Sequence, residues 1–205
     1  MKLDTPMKTV HSVNVKPLQR RLAEIPEAVW NVKTFRQERA DAQKDTQSII
    51  LCWSGFSTAS DAEFGSDAFV TNKWTAEYQY FKDVMDPINN LITGIYSKRV
   101  IRSMLTRLHP GGTIPVHRDI DPTFTASHRI HVPIVTHPDV EFRIAGQRHQ
   151  FHEGVVYEFD NLEEHSVHNP TKFERVHLIM DILTEDMGLM GAALKMAGVR
   201  TTPLS

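Results

Sequence analysis

The apolar positions of the chain follow two different periods, one before and one after about residue 99. Leu18, Leu22, Ile25 and Val29 fall at i, i+4, i+7 and i+11, the spacing of one helix face, with Pro17 suited to a first helical turn and Pro26 ending or bending the helix. Ile49–Trp53 is a short apolar run that reads as a buried strand. Trp74, Tyr78, Phe81, Val84 or Met85, Ile88, Leu91, Ile92 and Ile95 form a second stripe, predicting a helix over 74–96 that packs on a sheet. The polar stretch TFRQERADAQKDTQ reads as a surface connection. The segment Ser54–Thr71, rich in Gly, Ser, Asp and Ala, reads as a long loop and a candidate lid.

After Arg99 the period changes. Short runs rich in Val, Ile, Phe and Thr (VIRSMLTRLH, PGGTIPVH, RIHVPIV, VEFRI, GVVYEF, RVHLIMDIL) alternate with Gly, Pro, Asp and Asn clusters. Turn signals every ~8–12 residues predict an antiparallel sandwich or barrel. Thr184–Gly198, with Met187, Leu189, Met190, Leu194 and Met196, reads as a C-terminal helix or tail. The expected fold is mostly β with helices: a double-stranded β-helix (a cupin-like jelly roll) supported by N-terminal helices. At 205 residues a single domain is expected, with 1–98 a mainly helical supporting layer and loop, 99–183 the jelly-roll core and 184–205 the tail.

Alternation within two of these strands carries more information. In RVHLIMDIL, Val176, Leu178 and Met180 share one face while Arg175, His177, Ile179 and Asp181 share the other. In RIHVPIV, Ile130, Val132 and Ile134 lie opposite Arg129 and His131. If the apolar faces lie under helices, both arginines point into the barrel. A buried guanidinium is costly unless it meets an anion, and its planar fork suits a carboxylate, either a ligand's or an internal Asp or Glu.

Composition narrows the function. Twenty-three basic against twenty-five acidic residues leave a net charge of −2, so there is no basic excess to hold a phosphate backbone and no nucleic-acid partner is expected. Cys52 is the one cysteine, which excludes an internal disulfide or a cysteine zinc finger. MKLDTPMKTV has no apolar leader and no run is long enough to span a bilayer, so a cytoplasmic protein without a membrane role is expected. Ten of the eleven histidines fall between His109 and His177. Within that stretch His117-Arg118-Asp119 sets an imidazole and a carboxylate two residues apart, on one side of an extended strand. Two histidines and one carboxylate are the facial triad of non-haem Fe(II) oxygenases, whose remaining coordination positions admit a cosubstrate and O2. His165 and His168 compete for the third place; three apart, they face opposite sides of a strand, and spacing alone does not choose.

The ordered series LTRLHPGGTIPVHRD, RIHVPIV and GVVYEFDNLEEHSVHNPTKFERVHLIMDI resembles the aspartyl/asparaginyl β-hydroxylase family of 2-oxoglutarate- and Fe(II)-dependent dioxygenases, whose bacterial members include proline hydroxylases. The resemblance covers about Ser103–Leu183. It implies that His117 and His165 are the proximal and distal metal histidines, and so selects His165 over His168. It implies that Arg175 binds the distal carboxylate of 2-oxoglutarate with Thr106 beside it. It also implies that His131 lies near the iron-chelating carboxylate and that Arg129 serves the cosubstrate or substrate carboxylate. Animal peptidyl hydroxylases of the family have glycine where Asp119 stands, so the carboxylate here completes a triad and weakens transfer of their peptide substrate.

The function so implied is hydroxylation of an unactivated C–H of an amino acid, an amino-acid-like molecule or a peptidyl Asp/Asn. Fe(II), 2-oxoglutarate and O2 are consumed or held, and succinate and CO2 are released. The substrate is then a small molecule or a peptide; the oligomeric state is not legible. The alternative is a non-catalytic cupin-like module that binds metal or ligand. Cupins usually present H-x-H with a Glu and a later His, whereas this chain has H-x-D and inward arginines.

Overall fold

Residue parity along the strands sets the layers of this fold. The computed structural model describes residues 3–32, 43–54, 72–119, 124 and 127–183. Eleven strands run as β1 (Met7–Ser12), β2 (Thr46–Ser54), β3 (Asn72–Trp74), β4 (Val100–Leu108), β5 (Thr113–His117), β6 (Ser127–Val135), β7 (Glu141–Ile144), β8 (Gln147–His149), β9 (Val155–Phe159), β10 (His165–His168) and β11 (Arg175–Leu183). Two α-helices, α1 (Lys16–Glu24) and α2 (Lys82–Tyr96), and two 3-10 turns, Glu27–Asn31 and Glu77–Tyr80, complete the described elements. The strands make a seven-stranded sheet, β1-β9-β6-β11-β4-β2-β3, and a four-stranded sheet, β5-β10-β7-β8, with antiparallel pairing throughout.

The large sheet has two different faces. Ile130, Val132 and Ile134 of β6, Val176, Leu178 and Met180 of β11 and Leu105 of β4 pack in one cluster with Leu18 of α1 and Met85, Ile88 and Ile92 of α2. The opposite face meets the small sheet through Leu108, Ile114, Phe142, Ile144, Phe151, Tyr157, Phe159 and Val167. The apolar faces expected to lie under helices therefore do so. Each side chain they bury is worth on the order of 1.5–3 kcal/mol in removed apolar surface. The odd-numbered residues of β11 are left facing the interior of the jelly roll.

The front of the chain departs from the expectation in two places. β1 and β3 were not expected as strands. β1 (MKTVHS) has no core alternation and is recruited by backbone pairing to β9, forming one edge of the large sheet, while β3 pairs with β2 at the far edge. The helix predicted over 74–96 begins only at Lys82. Trp74 belongs to β3, and the Thr75 hydroxyl donates to the Ile50 carbonyl and accepts from the Tyr78 backbone N–H, tying a 3-10 turn ahead of the helix. The stripe misleads because Trp74 stacks on Tyr78 across that junction, 4.2 Å between ring centroids. The start and stop of α1 follow the prediction, with a proline in its first turn and Pro26 just beyond its C-cap Ile25. The expected loop over 54–71 and the helix or tail over 184–205 lie outside the described residues, apart from Ser54 at the end of β2.

One buried carboxylate fastens three elements on the helical side. Glu158 of β9, 2% exposed, accepts hydrogen bonds from His128 Nδ1 of β6 (2.6 Å) and the Tyr96 hydroxyl at the end of α2 (2.8 Å), and pairs with Lys8 Nζ of β1 (2.9 Å). Burial pushes its pKa up, but the bonds from His128, Lys8 and Tyr96 outweigh burial and hold it at about 2. A carboxyl group with a depressed folded-state pKa stabilises the fold above its unfolded value, and that contribution disappears as pH falls from about 4.5 to about 2. It is worth on the order of 3 kcal/mol. The Glu158→Gln variant is expected to be less stable than the parent at pH 7, with the gap narrowing by pH 3. Urea unfolding of both proteins at the two pH values measures this; a gap that does not change with pH removes Glu158 from acid sensitivity.

Candidate metal and cosubstrate site

The connection between β4 and β5 brings the H-x-D motif to the mouth of the jelly roll. Gly111 takes φ +72°, and a Cβ on Gly112 would lie 2.9 Å from both the His109 carbonyl and Leu108 Cδ1, so the turn closes this tightly only with glycines. Along β5 the parity then breaks. Ile114 faces inward, Pro115 and Val116 are both exposed, and His117 turns inward again, although residues three apart on a regular strand face opposite sides. Pairing with β10 shows the cause: His165 lies opposite His117 but Val167 lies opposite Ile114, a bulge of one extra residue in β5. Pro115 suits it, having no N–H to lose.

Across β5 and β10 the His117 and His165 rings lie 4.2 Å apart. Asp119, just past β5, sits with Oδ1 3.8 Å from His117 Nε2. One ligand atom from each of His117, Asp119 and His165 falls within 4.8 Å of the others. Among the described residues this is the one such group of histidine, cysteine or carboxylate side chains. His168 is exposed and outside it, consistent with three-residue spacing on a strand.

The hydrogen bonds fix how each donor is presented. Nδ1 of His117 lies 2.8 Å from the Pro115 carbonyl, and Nδ1 of His165 lies 2.9 Å from the Glu163 carbonyl. A carbonyl only accepts, so both rings carry their proton on Nδ1 and offer the Nε2 lone pair. Burial pushes the His165 pKa down; Asp119 and the Glu163 carbonyl oppose this while His117 and Arg129 add to it, leaving it at about 4. The ring is neutral near pH 7, as a ligand must be. Asp119 is held well below the ordinary carboxylate range although burial pushes the other way, because Arg129, His165, Asn161 and His117 all favour its charge. Its Oδ2 accepts from Arg129 Nη1 (3.0 Å) and Asn161 Nδ2 (2.9 Å), and its backbone N–H donates to the Asn161 carbonyl (3.0 Å). Oδ1 is left toward the imidazoles. Two imidazole Nε2 atoms and one oriented carboxylate oxygen fit a divalent iron ion.

Arg129, read from sequence as facing either an internal or a ligand carboxylate, faces internal ones. Besides Asp119, it reaches the fully buried Asp181 through Nε (2.5 Å) and Nη2 (3.2 Å). Asp181 also takes Arg102 Nη1 at 3.3 Å, and the Phe124 ring lies against both guanidinium groups.

Arg175 differs. Four arginines are buried among the described residues: Arg102, Arg107, Arg129 and Arg175. The first three meet carboxylates; Arg175, 2% exposed, meets none within ion-pairing distance. Its Nη2 donates to His177 Nδ1 at 2.6 Å, its Nε has no partner, and the Phe142 ring lies 5.6 Å away. Burial alone pushes its pKa down, to about 9. A desolvated cation with an orphaned donor fits an anionic ligand such as the carboxylate of a keto acid. Thr106 is buried on β4 directly opposite His177, its hydroxyl 3.3 Å from that of Ser48. His131 packs edge-on against Phe159 at 4.7 Å, with Nδ1 3.3 Å from His177 Nδ1. The seven residues singled out in the sequence thus divide: His117, Asp119 and His165 converge, Arg129 braces Asp119, and Arg175, Thr106 and His131 stand with His177 further along the inner face. Asn161, Asp181 and Arg102 were not recognised as parts of this arrangement. Asp181 shared the inward face of its strand, but only the β11–β6 and β11–β4 registers show that it meets Arg129 and Arg102.

A jelly roll with this donor set is the architecture of the 2-oxoglutarate- and Fe(II)-dependent dioxygenases. The model of the aspartyl/asparaginyl β-hydroxylase family matches residues 13–185, and the chain belongs to that family. It is an enzyme, a dioxygenase of the hydroxylase kind, and the match reaches ninety residues further toward the N-terminus than the motifs alone. Among solved structures, a viral collagen prolyl hydroxylase from Paramecium bursaria Chlorella virus-1, in complex with 2-oxoglutarate, is similar with a TM-score of 0.51 and 8% identity, over 88% of this chain and 97% of that one. A prolyl-4-hydroxylase from Pseudomonas putida has a TM-score of 0.47 and 11% identity, over 89% and 94%. A 2-oxoglutarate–Fe(II) oxygenase family oxidoreductase from Burkholderia pseudomallei has a TM-score of 0.46 and 12% identity, over 83% and 90%. No curated protein matches the sequence. Among the described residues no helix is long and apolar enough to cross a membrane.

Proposed function

We propose that this chain hydroxylates an unactivated C–H of an amino acid, an amino-acid-like molecule or a peptidyl Asp/Asn. In this reading 2-oxoglutarate and O2 become succinate and CO2, one oxygen atom going to succinate and the other to the substrate. His117, Asp119 and His165 hold Fe(II), which when bound supplies the activation of O2 that no side chain can provide. Arg175, with Thr106 beside it, anchors the far carboxylate of 2-oxoglutarate, and His131 borders its keto-acid end. Arg129 and Asn161 keep Asp119 ionised and aimed through one oxygen, leaving coordination positions for cosubstrate and dioxygen. Phe142 and Phe159 exclude water between these groups, which strengthens every charge interaction there.

One observation carries the reading: a buried arginine without a carboxylate stands in the same barrel as a converging His-Asp-His set. The test is anaerobic titration of the Fe(II) protein with 2-oxoglutarate. A visible charge-transfer band is expected for the parent. Arg175→Met is expected to raise the 2-oxoglutarate concentration needed by about 100-fold or more, as loss of a charge-assisted pair does. Absence of the band in the parent overturns the reading, and an unchanged titration in Arg175→Met removes Arg175 from the anchor. Screening amino acids for succinate release, with detection of a product heavier by one oxygen atom, then identifies the substrate.

A further inference from the structure

Three buried nitrogen atoms without partners line one narrow cleft at the Arg175 end of the barrel. They are Arg175 Nε, His177 Nε2 and His149 Nε2, and Thr136, Phe142, Gln150 and Phe151 also contribute to the walls. The protonation of His177 follows from its neighbour. Arginine has donors only, so the 2.6 Å contact from Arg175 Nη2 makes His177 Nδ1 an acceptor. Burial, with Arg175 and His131 nearby, keeps the ring neutral, its pKa well below the usual value. The single proton of His177 is therefore on Nε2, a buried N–H with no acceptor among the described residues. A donor left in this state is destabilising, and together with the partnerless Nε of the Arg175 cation in the same cleft it calls for an anion with two oxygens.

We infer that His177 is a second direct anchor for the distal carboxylate of 2-oxoglutarate, its Nε2–H donating to one carboxylate oxygen while Arg175 binds the other. Arg175 has a double part: Nη2 sets the tautomer of His177, and Nε faces the same ligand. The inference rests on the cosubstrate reading above. It adds a binding residue that neither the H-x-D motif nor the arginine–threonine pair contains.

The test compares His177→Leu, His177→Gln and His177→Asn by anaerobic titration of the Fe(II) proteins with 2-oxoglutarate and with 2-oxopentanoate, which keeps the keto-acid end but lacks the distal carboxylate. Glutamine places its amide N–H near the position of Nε2, whereas asparagine reaches only that of Nδ1. His177→Leu is expected to weaken 2-oxoglutarate 10- to 100-fold and leave 2-oxopentanoate within about twofold, with Fe(II) affinity unchanged. His177→Gln is expected to recover most of the loss and His177→Asn little of it. If His177→Leu does not fold, the glutamine and asparagine variants decide the question alone. Equal 2-oxoglutarate affinity across variants, or equal losses for both keto acids, overturns the inference. A parent protein that binds neither keto acid overturns the cosubstrate reading instead.

Discussion

The His165→Ala protein is expected to lose Fe(II) affinity by more than about 100-fold, beyond the 10- to 100-fold typical of residues that only support a ligand, and to form no substrate-dependent succinate. His165 is 7% exposed, its Nδ1 is committed to the Glu163 carbonyl, and its Nε2 faces His117 and Asp119. His168→Ala is the matched control, since that ring is exposed on the other side of the same strand. Titration of the apoproteins with Fe(II) or Co(II) reads the first effect and succinate release the second. His165→Ala binding metal within a few-fold of the parent would withdraw it from the ligand set, and a His168→Ala loss of the same size would transfer the role.

Asp181→Leu should be the most damaging single change at the brace of the site. The carboxylate is fully buried and holds Arg129 at two nitrogens and Arg102 at one. Removing it leaves two guanidinium groups in the barrel around one lost anion, which costs on the order of 3–5 kcal/mol. It also frees Arg129 to move off Asp119, and a 10- to 100-fold loss of metal affinity is expected from that displacement. Asp181→Asn separates the effects. It keeps the shape and one acceptor oxygen, so it should retain more of the stability, while metal affinity still falls because Arg129 is no longer held by a full charge. Urea unfolding and Co(II) titration on the same samples check both. A variant with parental metal affinity would show that Arg129 stays on Asp119 without its anchor.

What the sequence made legible was whatever a strand's period of two encodes. The faces of β6 and β11 followed from Ile130, Val132, Ile134, Val176, Leu178 and Met180, because burial on one side only leaves a readable alternation. Choosing His165 over His168 was beyond the spacing and came from family resemblance. β1 and β3 were invisible because edge strands are held by backbone pairing, which leaves no apolar signature. The destination of Arg129 was undetermined for a related reason. Whether an inward guanidinium meets a ligand or an Asp depends on cross-strand register, and Asp181 stands opposite Arg129 only once β11 and β6 are aligned. The tautomer of His177 likewise depends on a neighbour two residues away on the same face, a contact that composition does not reveal.

The surplus residue in β5 has an implication for comparing relatives. Val116 is 66% exposed and contributes almost nothing to packing, and the bulge that absorbs the extra residue lets His117 face inward although it stands three positions after the inward-facing Ile114. Chemistry here depends on reading frame within an edge strand rather than on possession of the right letters. A homologue one residue shorter between its inward isoleucine and its histidine would keep that histidine inward on a regular strand, whereas one with the same spacing but no bulge would turn it outward. An alignment without a gap at this point would score as identical two proteins of equal spacing, one bulged and one regular, whose histidines point in opposite directions.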